Sequence, residues 1–183
     1  MTALTVTKEM SPFAQLQQME HLCHLYAAGL PAQRDSQAEW AGVGFRLGAR
    51  RFISALDDVS EVLHEPKYTL IPGVKSWVKG VANVRGRLLP VIDLCAFLQI
   101  ESRTSATEQR VVVVDAEGIF VGVTVDEVFG MRHFEIENYQ EQFDDSEASL
   151  NPYLMGEFAD EARWTVFSFC ALAQTPAFLD VVA

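Results

Sequence analysis

Apolar positions repeat with a helical period near the start of the chain and with a period of two from about residue 43 onward. Ser11 followed by Pro12 predicts a helix start, because the Ser oxygen caps free N–H groups and Pro suits the first helical position. The helix runs to about Ala28. Leu16, Met19, Cys23 and Tyr26 fall at i, i+3, i+7 and i+10, a stripe about 80° wide at ~100° per residue. Gly29 and Pro31 end it, and the polar, charged mixture from Ala32 to Glu39 reads as a linker.

Val43, Phe45 and Leu47 then alternate with Gly44, Arg46 and Gly48, which predicts a strand. Further strands follow over Arg51 to Leu56 and Val59 to Leu63, and Pro66, Pro72 and Gly73 interrupt the pattern. Gly80 to Val84 and Leu88 to Ile92 flank Arg85-Gly86, a hairpin whose Gly can take the positive φ of a tight turn. Pro90 predicts an edge or a bulge in the second of these strands. Asp93 caps a short helix over Leu94 to Leu98.

A polar connector, Gln99 to Gln109, precedes strands Arg110 to Asp115 and Ile119 to Val125 around Glu117-Gly118. An irregular acidic stretch follows, then strands Tyr153 to Phe158 and Trp164 to Phe169. The second half echoes the first: Phe52-Ile53-Ser54-Ala55 matches Phe120-Val121-Gly122-Val123, and Ile92-Asp93-Leu94-Cys95-Ala96 matches Phe167-Ser168-Phe169-Cys170-Ala171. Many short strands without long helices predict a mainly β fold of two small barrels. Each unit alone is near the size at which one core is marginal, so the two are expected to pack together, leaving a groove or seam.

Composition narrows the function. The 183 residues carry 14 Lys plus Arg against 25 Asp plus Glu, a net charge of −11, which argues against wholesale binding to nucleic acid or anionic lipid. The 49% of apolar residues supply a core, and nowhere do they form a membrane-spanning run or a signal peptide. The expectation is a soluble, cytoplasmic protein without direct membrane insertion. Cys23, Cys95 and Cys170 lie far apart with no metal-type spacing and are expected to be reduced thiols.

No catalytic, cofactor or metal site emerges. His21, Cys23 and His24 point to different sides of a helix and cannot converge on a metal, and His64 and His133 stand alone. Gly73-Val74-Lys75-Ser76 lacks the earlier glycine of a phosphate loop, and Gly42-Val43-Gly44 lacks the third glycine of a dinucleotide fingerprint. Paired acids at Asp57-Asp58, Asp126-Glu127 and Asp144-Asp145 are adjacent and point oppositely on a strand, and no hydrolase signature accompanies them.

Charge distribution is more informative. Lys67 to Arg87 contains Lys67, Lys75, Lys79, Arg85 and Arg87 and no acid, interleaved with Tyr68, Leu70, Ile71, Val74, Trp77, Val78 and Val81. Apolar anchors mixed with Arg are the composition of protein interfaces, which makes Lys75, Trp77 and Lys79 candidate interaction residues beside Arg85.

The run from Ile71 to Leu94, with its Pro-Gly turn, Gly80-Val-Ala-Asn-Val-Arg-Gly86 hairpin and Pro90-Val-Ile-Asp-Leu94, closely resembles the signature of CheW-like chemotaxis adaptor domains. Phe45-Arg46-Leu47-Gly48, Val59-Ser60-Glu61-Val62-Leu63 and Val123-Thr-Val-Asp-Glu-Val128 match other marks of that family. Within it, the N-terminal helix, Gly42-Val-Gly-Phe-Arg46 and Leu63-His-Glu-Pro-Lys-Tyr68 are similar to adaptors of type IV pilus twitching-motility systems. The resemblance implies two packed SH3-like five-stranded β-barrels over residues 39–182, intertwined and dividing near 99–109, after an N-terminal helix and linker over 1–38. It implies a non-enzymatic adaptor that couples the cytoplasmic tip of a chemoreceptor to the regulatory domain of a CheA-like histidine kinase, recruited to membrane-receptor arrays. Val59 and Glu61 match the family's interaction strand, and Asn83, Arg85 and Gly86 match the hairpin whose Arg binds and orients. Cys95 departs from a position that is often basic, and Glu157-Phe158-Ala159 from a Gly-Val-Ala. The alternatives are a small-ligand sensing module of the same fold, or an enzyme with an unrecognised site.

Overall fold

The computed structural model describes residues 11–26, 39–105, 107–116, 118–142, 149–159 and 162–183. Residues 32–38 of the expected linker, Glu117 of the expected turn, and residues 143–148 of the acidic stretch lie outside them. Residues 1–36 and 37–183 are separate units. In the first, helix α1 spans Pro12–Tyr26, and Ser11 caps it as its position predicts: its Oγ accepts from Ala14 N at 3.3 Å.

In the second unit the chain runs through β1 (Glu39–Leu47), β2 (Arg50–Ala55), β3 (Val59–His64), β4 (Tyr68–Thr69), β5 (Val78–Val84), β6 (Arg87–Asp93), α2 (Leu94–Leu98), β7 (Arg110–Ala116), β8 (Ile119–Val125), β9 (Glu127–Glu135), β10 (Tyr139–Gln140), β11 (Leu154–Ala159), β12 (Arg163–Phe167), α3 (Phe169–Ala173) and α4 (Pro176–Leu179). These strands form two sheets, ordered β10-β11-β12-β2-β1-β9 and β3-β7-β8-β6-β5-β4. Each is the wall of a small SH3-like barrel, and each has a two-residue strand beyond the expected five.

The halves of the chain exchange strands. Hairpin β1–β2 from the first half joins the sheet of β9 to β12, with β2 and β12 parallel, while hairpin β7–β8 from the second half joins β3 to β6, with β6 and β8 parallel. The connector over 99–109 therefore does not divide one sheet from the other. The internal echo survives in detail: Asp93 Oδ1 accepts from Ala96 N at 2.9 Å to start α2, and Ser168 Oγ accepts from Ala171 N at 3.0 Å to start α3.

Strands in the middle of each sheet are apolar on both faces. Ile53 and Val166 point into the first barrel with Phe134, Phe158 and Trp164, and Val91 and Val111 into the second with Ala82. Their neighbours Phe52, Phe167, Ile92 and Val112 point the other way, into a core that also takes Phe45, Leu98, Val123, Phe169 and Leu172. The expected seam is thus filled. Phe45 stacks on Phe52 and Phe169 at 5.7 and 5.5 Å between ring centroids.

Two local expectations need correction. Pro90 sits in β6, an interior strand and not an edge; the bulge alternative has a counterpart next to it, where the β5–β6 register shifts between Val78 and Gly80, opposite Ile92 and Val91, and the pairing of β6 with β8 begins only at Val91. Residues 127–135, expected to be irregular, form β9, an edge strand with a register shift opposite Gly44/Phe45. Phe134 is its one buried residue, so no apolar alternation marks it.

Candidate functional site

The β5–β6 turn is the most specialised backbone in the second barrel. Arg85 and Gly86 both have positive φ, 50° and 83°, the combination that defines the hairpin turn whose twist matches its strands. Gly86 adopts it without strain; Arg85, carrying a Cβ, does so rarely. Asn83 braces the turn by accepting from Gly86 N at 2.9 Å through its Oδ1. Arg85 is thereby held at the tip with 79% of its side chain exposed, and its Nη2 lies 2.7 Å from Glu61 Oε1 on β3.

Because β3 and β5 stand toward opposite ends of the sheet order, the Arg85–Glu61 pair bridges the barrel where its wall curls round. Lys79 makes a second bridge of the same kind: its Nζ lies 2.7 Å from Glu65 Oε1 with 13% of the side chain exposed, and 3.3 Å from Gln109 Oε1. The candidate residues Glu61, Asn83, Arg85 and Gly86 thus come together in one place. Val59 is half-buried against the central core. Leu88, opposite Asn83 in the hairpin register, leaves an apolar side chain 71% exposed beside this turn; its signal in the sequence was Leu88-Leu89, of which alternation buries only one.

The acid-free segment from Lys67 to Arg87 is not an uncompensated basic surface. Lys75 pairs with Asp180 at 2.8 Å and Arg87 approaches Asp115 at 3.7 Å, so acids distant in sequence face these cations. Lys75 also holds the chain end: its N donates to Val181 O, and Ala183 N donates to Gly73 O. Lys75 pulls the Asp180 carboxyl below its ordinary pKa by hydrogen bonding and charge. Trp77 packs with Phe97 and Phe178 at 5.2 and 6.1 Å between ring centroids, a half-buried structural contact. Lys75 and Lys79 are paired within the fold and Trp77 is half-buried, while Arg85 has 79% of its side chain exposed.

Of the acids weighed as catalytic candidates, Asp126 holds the fold together, and Asp144 and Asp145 lie outside the described residues. Asp126 is buried, and its Oδ2 accepts from Gly48 N at 2.7 Å and from Arg46 Nη1 at 3.4 Å while Oδ1 accepts from Ser102 Oγ. Arg46 also donates to Gly48 O and Thr104 Oγ1 at 2.8 and 2.9 Å. This knot joins the β1–β2 turn, the 99–109 connector and the β8–β9 junction. The nearby Cys95 thiol is pushed up to about 12 by burial and then by the charges of Asp126 and Asp93, which keeps it protonated. All three cysteines are free thiols. Among the described residues, no group of three His, Cys, Asp or Glu could hold a metal, and no helix is long and apolar enough to cross a membrane.

The family model of the CheW-like domain matches residues 41–175, the span that holds both barrels and the Glu61–Arg85 bridge. The chain belongs to the CheW-like domain family. Over 171 residues it is 52% identical to Protein PilI of Pseudomonas aeruginosa, covering 93% of this chain and 96% of that protein. It is 29% identical over 100 residues to the chemotaxis protein CheW of Thermotoga maritima, covering 53% of this chain and 64% of that one. The crystal structure of the scaffolding protein TtCheW from Thermoanaerobacter tengcongensis superposes with a TM-score of 0.66 at 21% identity, covering 76% of this chain and 96% of that one, which establishes the fold. This CheW-like domain thus shares its architecture with a scaffold and its sequence, nearly end to end, with PilI.

Proposed function

We propose that the protein is a non-enzymatic chemotaxis-type adaptor, linking the cytoplasmic tip of a chemoreceptor to the regulatory domain of a CheA-like kinase in control of type IV pilus motility. The likeness to PilI supports the pilus system. The observation that carries the reading is the β5–β6 turn, where a left-handed Arg85 is 79% exposed while its partner Glu61 is 24% exposed. A surface pair of this kind contributes at most about 1 kcal/mol to stability, so holding an Arg in a disfavoured conformation serves presentation more than folding. Arg85 offers a planar fork for a carboxylate on a partner, and Val59, Glu61, Asn83 and Gly86 shape the surroundings. In this reading the protein sits in the cytoplasm and is recruited to receptor arrays.

Calorimetric titration of the full chain with the kinase regulatory domain and, separately, with a receptor-tip fragment tests this. Arg85→Glu lowers affinity for at least one of them tenfold or more, about 1.4 kcal/mol, with little change in melting temperature. The double variant Glu61→Arg with Arg85→Glu regains the internal pair and still binds poorly. Unchanged affinity for both partners in both variants would overturn the reading.

A further inference from the structure

The apolar interior of the first barrel opens to solvent beside β10. Phe158 and Val166, both buried in that barrel, form the floor of a hollow of about 280 Å³, and Trp40, Ile136, Tyr139 and Met155 wall it. Trp40 stacks on Phe158 at 5.2 Å between ring centroids and 29° between planes. Tyr139 donates its hydroxyl to Met155 O at 2.6 Å, and Gly156 lets β10 come this close to β11, since a Cβ there would sit 2.5 Å from the Tyr139 oxygen. The rim is apolar and open to water: Ile136 is 49% and Met155 59% exposed.

The charge around this hollow has one sign. From Phe134 to Ala162 every charged residue is an acid, inside the described residues and outside them. Asp58 lines the hollow, Asp57 precedes it, and Glu135 and Glu137 flank Ile136; Asp57, Glu135 and Glu137 are exposed. Glu141 lies near enough to Tyr139 that its charge, after burial, raises the phenol pKa. Among the described residues no Lys, Arg or His lines the hollow, and of the 14 Lys and Arg in the chain only Lys8 and Arg34 lie outside the described residues. An apolar pocket with charges of one sign at its edge shields a bound side chain from water at its centre and attracts the opposite charge around it.

We infer that this hollow is a docking site for a segment of a partner protein that presents one large apolar side chain between lysines or arginines. The aromatic floor and the Ile136 and Met155 rim receive the apolar side chain. The acids come from two separate turns, Leu56–Asp58 and Ile136–Asn138, and from Glu141 beside β10, so cations on both sides of that anchor meet carboxylates. Nucleic acid and anionic lipid are repelled by the same acids. The site is independent of the adaptor reading and makes no use of Glu61 or Arg85.

Fluorescence anisotropy of the full chain with a labelled peptide, about twelve residues long, tests it; the peptide carries one central Leu between pairs of Lys, with Gly and Ser elsewhere. It binds saturably, and binding weakens as salt is raised from about 50 to about 300 mM, as the shorter screening length requires. Replacing its Leu by Ser lowers affinity at least tenfold, which separates docking from general attraction to a chain of net charge −11. Ile136→Ser combined with Met155→Ser does the same and leaves the melting temperature nearly in place, because both side chains are exposed. Glu137→Gln combined with Glu141→Gln weakens binding severalfold, whereas Glu101→Gln with Glu108→Gln, the same change of charge on the 99–109 connector, leaves it unchanged. Equal binding of the Leu and Ser peptides, or equal binding by the Ile136 and Met155 double variant and wild type, would overturn the inference. So would self-association of the chain, read by analytical ultracentrifugation, that the double variant abolishes, since a second copy would then fill the hollow.

Discussion

Asp126 shows how much a single side chain can hold. It accepts hydrogen bonds from a turn, from a connector and from Arg46 while fully buried. Truncating it leaves Gly48 N and the Arg46 guanidinium without their acceptor, and removing one member of a buried charged network costs about 3–5 kcal/mol. Asp126→Ala is therefore expected to lower the melting temperature by roughly 6 °C or more, read by calorimetry, whereas Arg85→Glu leaves it nearly in place. The contrast between these residues follows their legibility. The Arg85-Gly86 turn is local, and Gly marks it in the chain. The partners of Asp126 lie 78 and 24 residues away, so its sequence neighbourhood offered only an adjacent acid. The partners of Lys75 and Lys79 were hidden for the same reason: Asp180, the acid that meets Lys75, lies 105 residues away, and Glu65, which meets Lys79, falls just outside the acid-free segment.

At the scale of elements, what could be read was whatever repeats or caps locally. The two short helices α2 and α3 begin with a side-chain cap at equivalent places in the echo, Asp93 and Ser168. Replacing either by Ala is expected to cost about 1 kcal/mol, visible as a lower urea midpoint with an unchanged slope. Equal losses at the two positions would mark the echo as energetic as well as geometric. Strand β9 was hidden because an edge strand with one buried residue has no period for a pattern to reveal. The strand assignment around Pro90 was right in place and incomplete in context, since proline forbids a ladder partner only at its own N–H and β6 gains its second neighbour one residue later.

For the whole molecule, the exchange of hairpins sets what can stand alone. A fragment ending in the 99–109 connector would hold β1 and β2 without the strands that complete their sheet, and β3 to β6 without β7 and β8. Fragments 39–105 and 106–183 are each expected to lack native tertiary signals, and to recover them when mixed, as monitored by near-ultraviolet circular dichroism and one-dimensional NMR. Independent folding of either fragment would contradict the interlocked topology. The duplication was visible in the sequence; which copy lends its hairpin to which sheet was not, because both copies satisfy the same alternation. The exchange also has a consequence in time. Phe52 pairs with Thr165, more than a hundred residues later, so at a synthesis rate of about 5–20 residues per second the first hairpin waits roughly 5–20 s on the ribosome before its partner strand exists. During that interval Phe45, Phe52 and Ile53, all fully buried in the finished protein, face water or a chaperone. Folding of this molecule is thus paced by the emergence of its last strands, and its high share of distant pairings makes the final closure slow as well.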